Sequence, residues 1–280
     1  KTKVIFFESL TNPSIDVADI EAITTIANKH RILTVVDNTV ATPVLCRPFE
    51  FGADITVHSA SKYTTGQGLA IGGILVERKE LVDKLKGNPR YAHFNEPDAS
   101  YHGLVYVDIP LPPFTLRTRL ALLRDIGAVS SPFNSWLFIQ GLEHLSLRMR
   151  EHSANALKLA TFLESHPKVT KVNYPGLKSN SNYEMGQKYF TGGACSGLLS
   201  FEVASLEEAT KIVNATELYS LVVNIGDSKS IITHPASTTH MQLTEDELIA
   251  CGVPYGLVRI SCGLESANDL IADMKQALEA

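Results

Sequence analysis

Residues 32–37 read ILTVVD, a β-branched apolar run closed by an acid. A run this short and this apolar has the pattern of a strand buried on both faces of a sheet. Upstream, Val4-Ile5-Phe6-Phe7 is a second apolar run, broken at Asn12-Pro13. Between the two, Val17, Ile20, Ile23 and Ala27 recur at helical spacing. Asp16 is placed to cap that helix, with Asp19 in its first turn and Lys29 and His30 at the end that suits cations. Downstream, residues 54–58 (DITVH) and 71–76 (IGGILV) read as two more strands. Strands alternating with helical segments predict a parallel sheet covered by helices.

From Gly87 to Thr115, Pro, Gly, Asn and aromatic residues dominate. Tyr91, Phe94, Tyr101 and Tyr106 need something to pack on, so this segment is expected to be a long ordered loop. Ser131-Pro132 then opens a long helix, with Pro at the tolerated first position. Phe138, Leu142, Leu145 and Met149 share one face, and the pattern runs towards Leu163 before His166-Pro167 stops it. The expected organisation is an α/β sheet region over 1–130, a connecting helix over 131–165 and a smaller α+β domain over 166–280. In the last, strands near 168–173, 196–203, 219–225 and 256–261 alternate with helices near 205–215, 244–250 and 266–278.

The bulk properties exclude several classes. The 280 residues are 44% hydrophobic, enough for a full core, with a net charge of −5 and a pI near 6.0. With no Lys/Arg-rich run, nucleic-acid binding has little support. No apolar stretch reaches about 18 residues, so no membrane span is expected, and the first residues lack a signal-peptide pattern. Cys46, Cys195, Cys251 and Cys262 form no C-x-x-C pair, so neither a zinc site nor a disulfide framework is expected and the compartment reads as cytosolic. His234 and His240 are badly spaced for metal ligation on one helix face, which favours structural roles for both.

Chemistry gathers at the carboxyl ends of the predicted strands, where open parallel sheets bind ligands. Asn12 follows the first, Asp37 ends the second, and His58-Ser59-Ala60-Ser61-Lys62 follows the third. Asp37 is either a cap of its Asp-Asn-Thr turn or the counter-ion of a cationic ring nitrogen, which would keep that ring an electron sink. Lys62 is either a solvated lysine or a Schiff-base lysine whose pKa partial burial lowers. Hydroxyls on Ser59 and Ser61 could bind a phosphate beside it, and Gly66, Gly68, Gly72 and Gly73 keep the backbone compact. Arg259, in the strand-like GLVRISC of residues 256–262, shares a face with Leu257 and Ser261. It either faces solvent or clamps a carboxylate with its planar fork.

The segments ESLTNP (8–13), VVDNTVATP (35–43), HSASKY (58–63), HPASTTH (234–240) and VRISCGLE (258–265) together resemble the Cys/Met-metabolism family of pyridoxal-phosphate enzymes. They occur in the family's order and span nearly the whole chain. The resemblance implies the aspartate-aminotransferase-like fold (fold type I): an incomplete, parallel-rich sheet domain plus a smaller C-terminal α+β domain. It also implies pyridoxal 5'-phosphate as cofactor, Schiff-base-linked to Lys62. Asp37 would face the ring nitrogen, Ser59 and Ser61 the phosphate and Asn12 the ring hydroxyl, while Arg259 would bind the substrate carboxylate. The run VVNIGDSKSIITHPASTTH, with Asn224 in a substrate-binding position where many relatives have Ser, is similar to the O-acetylhomoserine sulfhydrylase branch. So is the loop ending in NEPDASYHGLVY.

The implied reaction is γ-replacement that converts O-acetyl-L-homoserine and sulfide to L-homocysteine and acetate in methionine biosynthesis, with O-acylhomoserines and sulfide or a thiol as the implied small-molecule partners. The alternatives are methionine γ-lyase or cystathionine γ-synthase or lyase activity. Family members are implied to form homotetramers, and they carry a further N-terminal part with a phosphate-covering turn, a ring-stacking tyrosine and a Tyr/Arg pair shared with the neighbouring subunit. These have no counterpart here, so a fragment is expected, either non-catalytic or completed by a separate N-terminal chain. Gln67 stands where many relatives have His.

Overall fold

The computed structural model describes residues 1–239 and 241–280; His240 lies outside the described residues. The first sheet has four strands in spatial order β1-β2-β3-β4: β1 (Val4–Glu8), β2 (Leu33–Asp37), β3 (Ile55–Ser59) and β4 (Gly73–Glu77). β1, β2 and β3 run parallel, with Glu8 opposite Asp37 and Asp37 opposite Val57. β4 runs antiparallel to β3 and pairs Ile74 with His58. The sheet is thus parallel-rich as expected, with its last strand antiparallel. Residues 60–72 turn the chain back at the end where β3 finishes, and a parallel partner would need a crossover to the other end.

Helix α1 (Ile20–Lys29) packs on this sheet through Ile20, Thr24 and Ala27. Its cap is Asp19, whose Oδ1 accepts from the Ala22 amide at 3.2 Å, and not Asp16. Asp16 instead accepts from the Asn182 side chain at 3.0 Å, a tertiary tie no local pattern reveals. The aromatic loop is ordered: Tyr91, Phe94 and Tyr106 are buried with Leu33, Ile55, Leu81 and Leu85 in a cluster beside the sheet.

The expected single helix is two, α2 (Pro132–Glu143) and α3 (Leu145–Glu164). Ser131 caps α2 by accepting from the Asn134 amide at 3.1 Å. The break falls at His144, with φ −120° and ψ 17°, next to Gly141, whose carbonyl accepts from Arg148 Nη2 at 2.7 Å. Phe133, Trp136 and Ile139 on α2 are exposed.

The second sheet orders its strands β5-β6-β9-β8-β7. In chain order the elements are β5 (Lys171–Asn173), α4 (Tyr183–Tyr189), β6 (Leu198–Glu202), α5 (Leu206–Ala215), β7 (Ser220–Leu221), β8 (Ile231–Thr233), α6 (Glu245–Ala250), β9 (Leu257–Ser261) and α7 (Ala267–Glu279). Ser205 caps α5, and Thr244 and Glu247 form a capping box on α6. β9 is the central strand and is buried throughout, so Arg259 does not face solvent. One hydrophobic cluster runs from Leu10, Ile15 and Tyr63 through Met149 and Leu159 on α3 to Phe201, Ile260 and Leu278. This cluster joins the segments after the first sheet's strands to the second sheet across residues 131–165, while Leu33 and Ile55 of the first sheet belong to the separate aromatic cluster. Among the described residues no helix is long and apolar enough to cross a membrane, and no group of three His, Cys, Asp or Glu side chains is placed to hold a metal.

Candidate active site

The carboxyl ends of β1, β2 and β3 open into a cavity of about 170 Å³ lined by Glu8, Asn12, Asp37, Thr39, Ser59 and Lys62, with Leu10, Val40 and Ile225 as its apolar wall. The strands place these groups: Glu8, Asp37 and Ser59 are each the final residue of their strand. Ile225 comes from the far sheet's side, so the cavity lies between the two halves of the chain. A larger cavity of about 530 Å³ lies on the side of Pro43, Cys46, Ile74, Val76 and Leu142. Its wall is mostly apolar, though Asn38, Arg47, Glu50 and His58 also line it, and it holds neither Lys62 nor Asp37, so the chemistry sought here belongs to the smaller one.

Lys62 sits in a turn of helix over Ala60–Thr64 but departs from helical geometry, with φ −96° and ψ −125°. The Ala60 amide donates to the Gly72 carbonyl and the Gly66 amide to the Lys62 carbonyl, both at 2.9 Å, which closes the turn. The Lys62 amine donates to Asn224 Oδ1 at 2.7 Å. Burial, and secondarily the Arg259 charge, hold it below the ordinary lysine value of 10.5. Asp37 Oδ1 accepts from the Thr39 amide at 2.9 Å, so it caps its turn, and the residue also lines the cavity. The Ser59 amide donates to Thr39 Oγ1 at 2.7 Å.

Arg259 is only 6% exposed. Its guanidinium donates to Asn12 Oδ1 and to the Asn224 carbonyl, each at 3.1 Å. Burial lowers its pKa, and among the described residues no carboxylate pairs with it. The structure thereby joins Lys62, Asn224, Arg259 and Asn12 in one hydrogen-bonded chain beside Asp37 and Ser59. Ser61 stands apart: its hydroxyl accepts from the Gly72 amide at 3.0 Å, and it does not line the cavity. Sequence reading missed Glu8 and Thr39 as lining residues. Glu8 accepts from the Asn12 amide at 3.0 Å, and its pKa is raised, chiefly by burial. Their signal was present, since each is a neighbour of a selected residue along a strand end.

A half-buried amine, an acid and hydroxyls converge here at the carboxyl ends of parallel strands, the place where open α/β sheets bind ligands. The chain belongs to the Cys/Met metabolism family of pyridoxal-phosphate-dependent enzymes, whose model matches residues 1–279. It is 44% identical to an O-acetyl-L-homoserine sulfhydrylase from Leptospira meyeri, over 100% of this chain and 65% of that protein. To the O-acetyl-L-homoserine sulfhydrylase of Corynebacterium glutamicum it is 42% identical, over 100% of this chain and 64% of that protein. A crystal structure of a putative O-acetylhomoserine (thiol)-lyase from Campylobacter jejuni, with N'-pyridoxyl-lysine-5'-monophosphate, superposes with a TM-score of 0.97 at 54% identity, covering 100% of this chain and 66% of that one. The chain thus spans about 65% of the length of the curated relatives it matches.

The family's cofactor fits the residues present. Lys62 offers an amine of lowered basicity, Asp37 a carboxylate and Ser59 a hydroxyl, all on one cavity.

Proposed function

We propose that the protein converts O-acetyl-L-homoserine and sulfide to L-homocysteine and acetate, a γ-replacement in methionine biosynthesis, and that Lys62 carries its cofactor. The observation that supports this most is the chain from the Lys62 amine through Asn224 to Arg259 and Asn12 beside the Asp37 cavity. Lys62, Asp37, Ser59 and Asn12 would hold pyridoxal phosphate, with Ser61 bracing the turn through Gly72. Bound there, the cofactor supplies an electron sink for charge developing at the substrate's Cα.

The chain's own groups do the rest. Arg259 binds the α-carboxylate, and its present acceptors are a neutral amide oxygen and a carbonyl, so no protein carboxylate competes for it. Lys62, neutral over more of the pH range than a solvated lysine, takes the proton from Cα and then from Cβ. The Cγ–O bond breaks and acetate leaves with the electron pair. Sulfur then bonds to Cγ, and protons return to Cβ and Cα. Asn224 holds the amine in place between transfers. Homotetrameric assembly and a cytosolic location belong to this proposal as well. The four free cysteines support the second, and light scattering tests the first.

The test is a pair of assays on purified protein with cofactor. Sulfide-dependent homocysteine formation from O-acetylhomoserine is expected to dominate. Release of α-keto acid without sulfide at a comparable rate would favour the γ-lyase reading, and condensation with cysteine the cystathionine-synthase reading. No turnover by protein that retains the cofactor would leave a non-catalytic fragment.

A further inference from the structure

The Lys62 turn is gripped from behind by a cation that none of the roles above uses. Arg148, on the first turns of α3, is 7% exposed. Its Nη1 donates to the Tyr63 carbonyl at 2.7 Å, and its Nη2 to the carbonyls of Thr64 at 3.1 Å and Gly141 at 2.7 Å. Its Nε donates to His144 Nδ1 at 3.3 Å. Among the described residues no carboxylate pairs with it. A buried guanidinium without a counter-charge is costly, and here all three of its nitrogens donate, in four hydrogen bonds. Here the planar fork is spent on two consecutive carbonyls directly after Lys62 and on the end of α2.

The packing around it is equally specific. A Cβ on Gly66, at φ +71°, would lie 2.3 Å from Arg148 Nη1, and a Cβ on Gly141 would lie 2.0 Å from the Thr64 carbonyl oxygen. Both glycines therefore let turn, helix break and guanidinium close on one another. The Tyr63 and Thr64 peptides fix the direction in which the preceding residue leaves the turn, and that residue has non-helical dihedrals.

We propose that Arg148 is a positioning residue that sets the orientation of the Lys62 turn and so delivers the amine to Asn224 and the cavity. The proposal rests on Lys62 being the cofactor-bearing amine. A lysine at 148 keeps the charge but lacks the fork that spans three carbonyls, so Arg and Lys are not equivalent there. The groups that face Lys62, namely Arg259 on β9, Glu8 on β1 and Asp37 on β2, are untouched by a change at 148.

The experiment is acetic anhydride labelling of the whole protein without added cofactor, followed across pH by peptide mass spectrometry. Exposed Lys29 is the internal reference, and thermal melts report folding. In Arg148→Met the midpoint of Lys62 labelling is expected to rise towards that of Lys29, because the released amine meets solvent. In Arg148→Lys the rise is expected to be partial. In cofactor-loaded protein, kcat is expected to fall about tenfold to a hundredfold with KM changed far less, the scale of misplacing a reacting group. A folded Arg148→Met with a Lys62 midpoint and kcat equal to wild type overturns the proposal. Should that variant fail to fold, Arg148→Lys decides, since a wild-type midpoint and kcat there overturn it too. Failure of the cofactor reading shows separately, as unmodified Lys62 in wild-type protein reduced with its cofactor.

Discussion

At the scale of single residues, burial separates the two basic groups of the site by function. Lys62 is half-buried and held below its ordinary pKa, while Arg259 is buried yet stays a cation aimed at neutral acceptors. Arg259→Lys removes the fork that suits a carboxylate. Substrate kcat/KM is expected to fall by about ten- to a hundredfold, equivalent to roughly 1.5–3 kcal/mol, mostly through KM. Steady-state kinetics checks this. His152 supplies a pH dependence of another kind. Burial, the largest cause, drives it from the usual 6.5 down to about 4. Its Nδ1 is 2.6 Å from the Cys262 carbonyl, and its buried Nε2 has no hydrogen-bond partner among the described residues. The unfolded chain therefore binds the proton first. Stability is full above 6.5 and is lost as pH falls towards about 4, by about 3 kcal/mol in all. Urea titrations of wild type and His152→Gln across that window are expected to show a shallower acid limb in the variant. Lys62, Asp37, Ser59, Asn12, Asn224 and Arg259 were all legible because each stands in a short segment of distinctive order. The burial of Arg259 was not, since an arginine at mid-strand reads the same whether its strand is central or peripheral. Arg148 was invisible for a similar reason, because three of its four partners are backbone carbonyls, which every residue has.

At the scale of elements, strands were legible and their partners were not. Apolar runs marked β1, β2 and β3, but the direction of β4 depends on how residues 60–72 turn, and that turn is set by side chains across the site. The cap of α1 moved from Asp16 to Asp19 because a side chain on residue 182 claims the first acid. β8 and α4 escaped notice: β8 has only three residues, and α4, of seven, buries only Gly186 and Tyr189. The break between α2 and α3 has the same tertiary origin in Arg148 and Gly141. Gly141→Ala would normally favour a helix. Here it is expected to destabilise by about 1–3 kcal/mol through overpacking against Thr64 and to lower activity with it, which denaturant titration and turnover measured on the same preparation check.

At the scale of the whole molecule, the cavity proposed for the cofactor is bounded by strand ends of one sheet and by Ile225 beside the other, next to a hydrophobic cluster that joins the loops after the first sheet's strands to the second sheet. That arrangement was only half legible. The order of the motifs implied one site, but the placing of Ile225 on its wall needed the fold. A ligand held between the halves couples them, so pyridoxal phosphate at a hundred times its Kd is expected to add about 2.7 kcal/mol and raise Tm. Lys62→Ala is expected to lose most of that shift, and a shift of equal size in both proteins would place the cofactor elsewhere. The most direct measurement is borohydride reduction of the protein with its cofactor, followed by peptide mapping. The account predicts a pyridoxyl-phosphate mass on Lys62 and on no other lysine. An unmodified Lys62 in protein that carries the cofactor would contradict it.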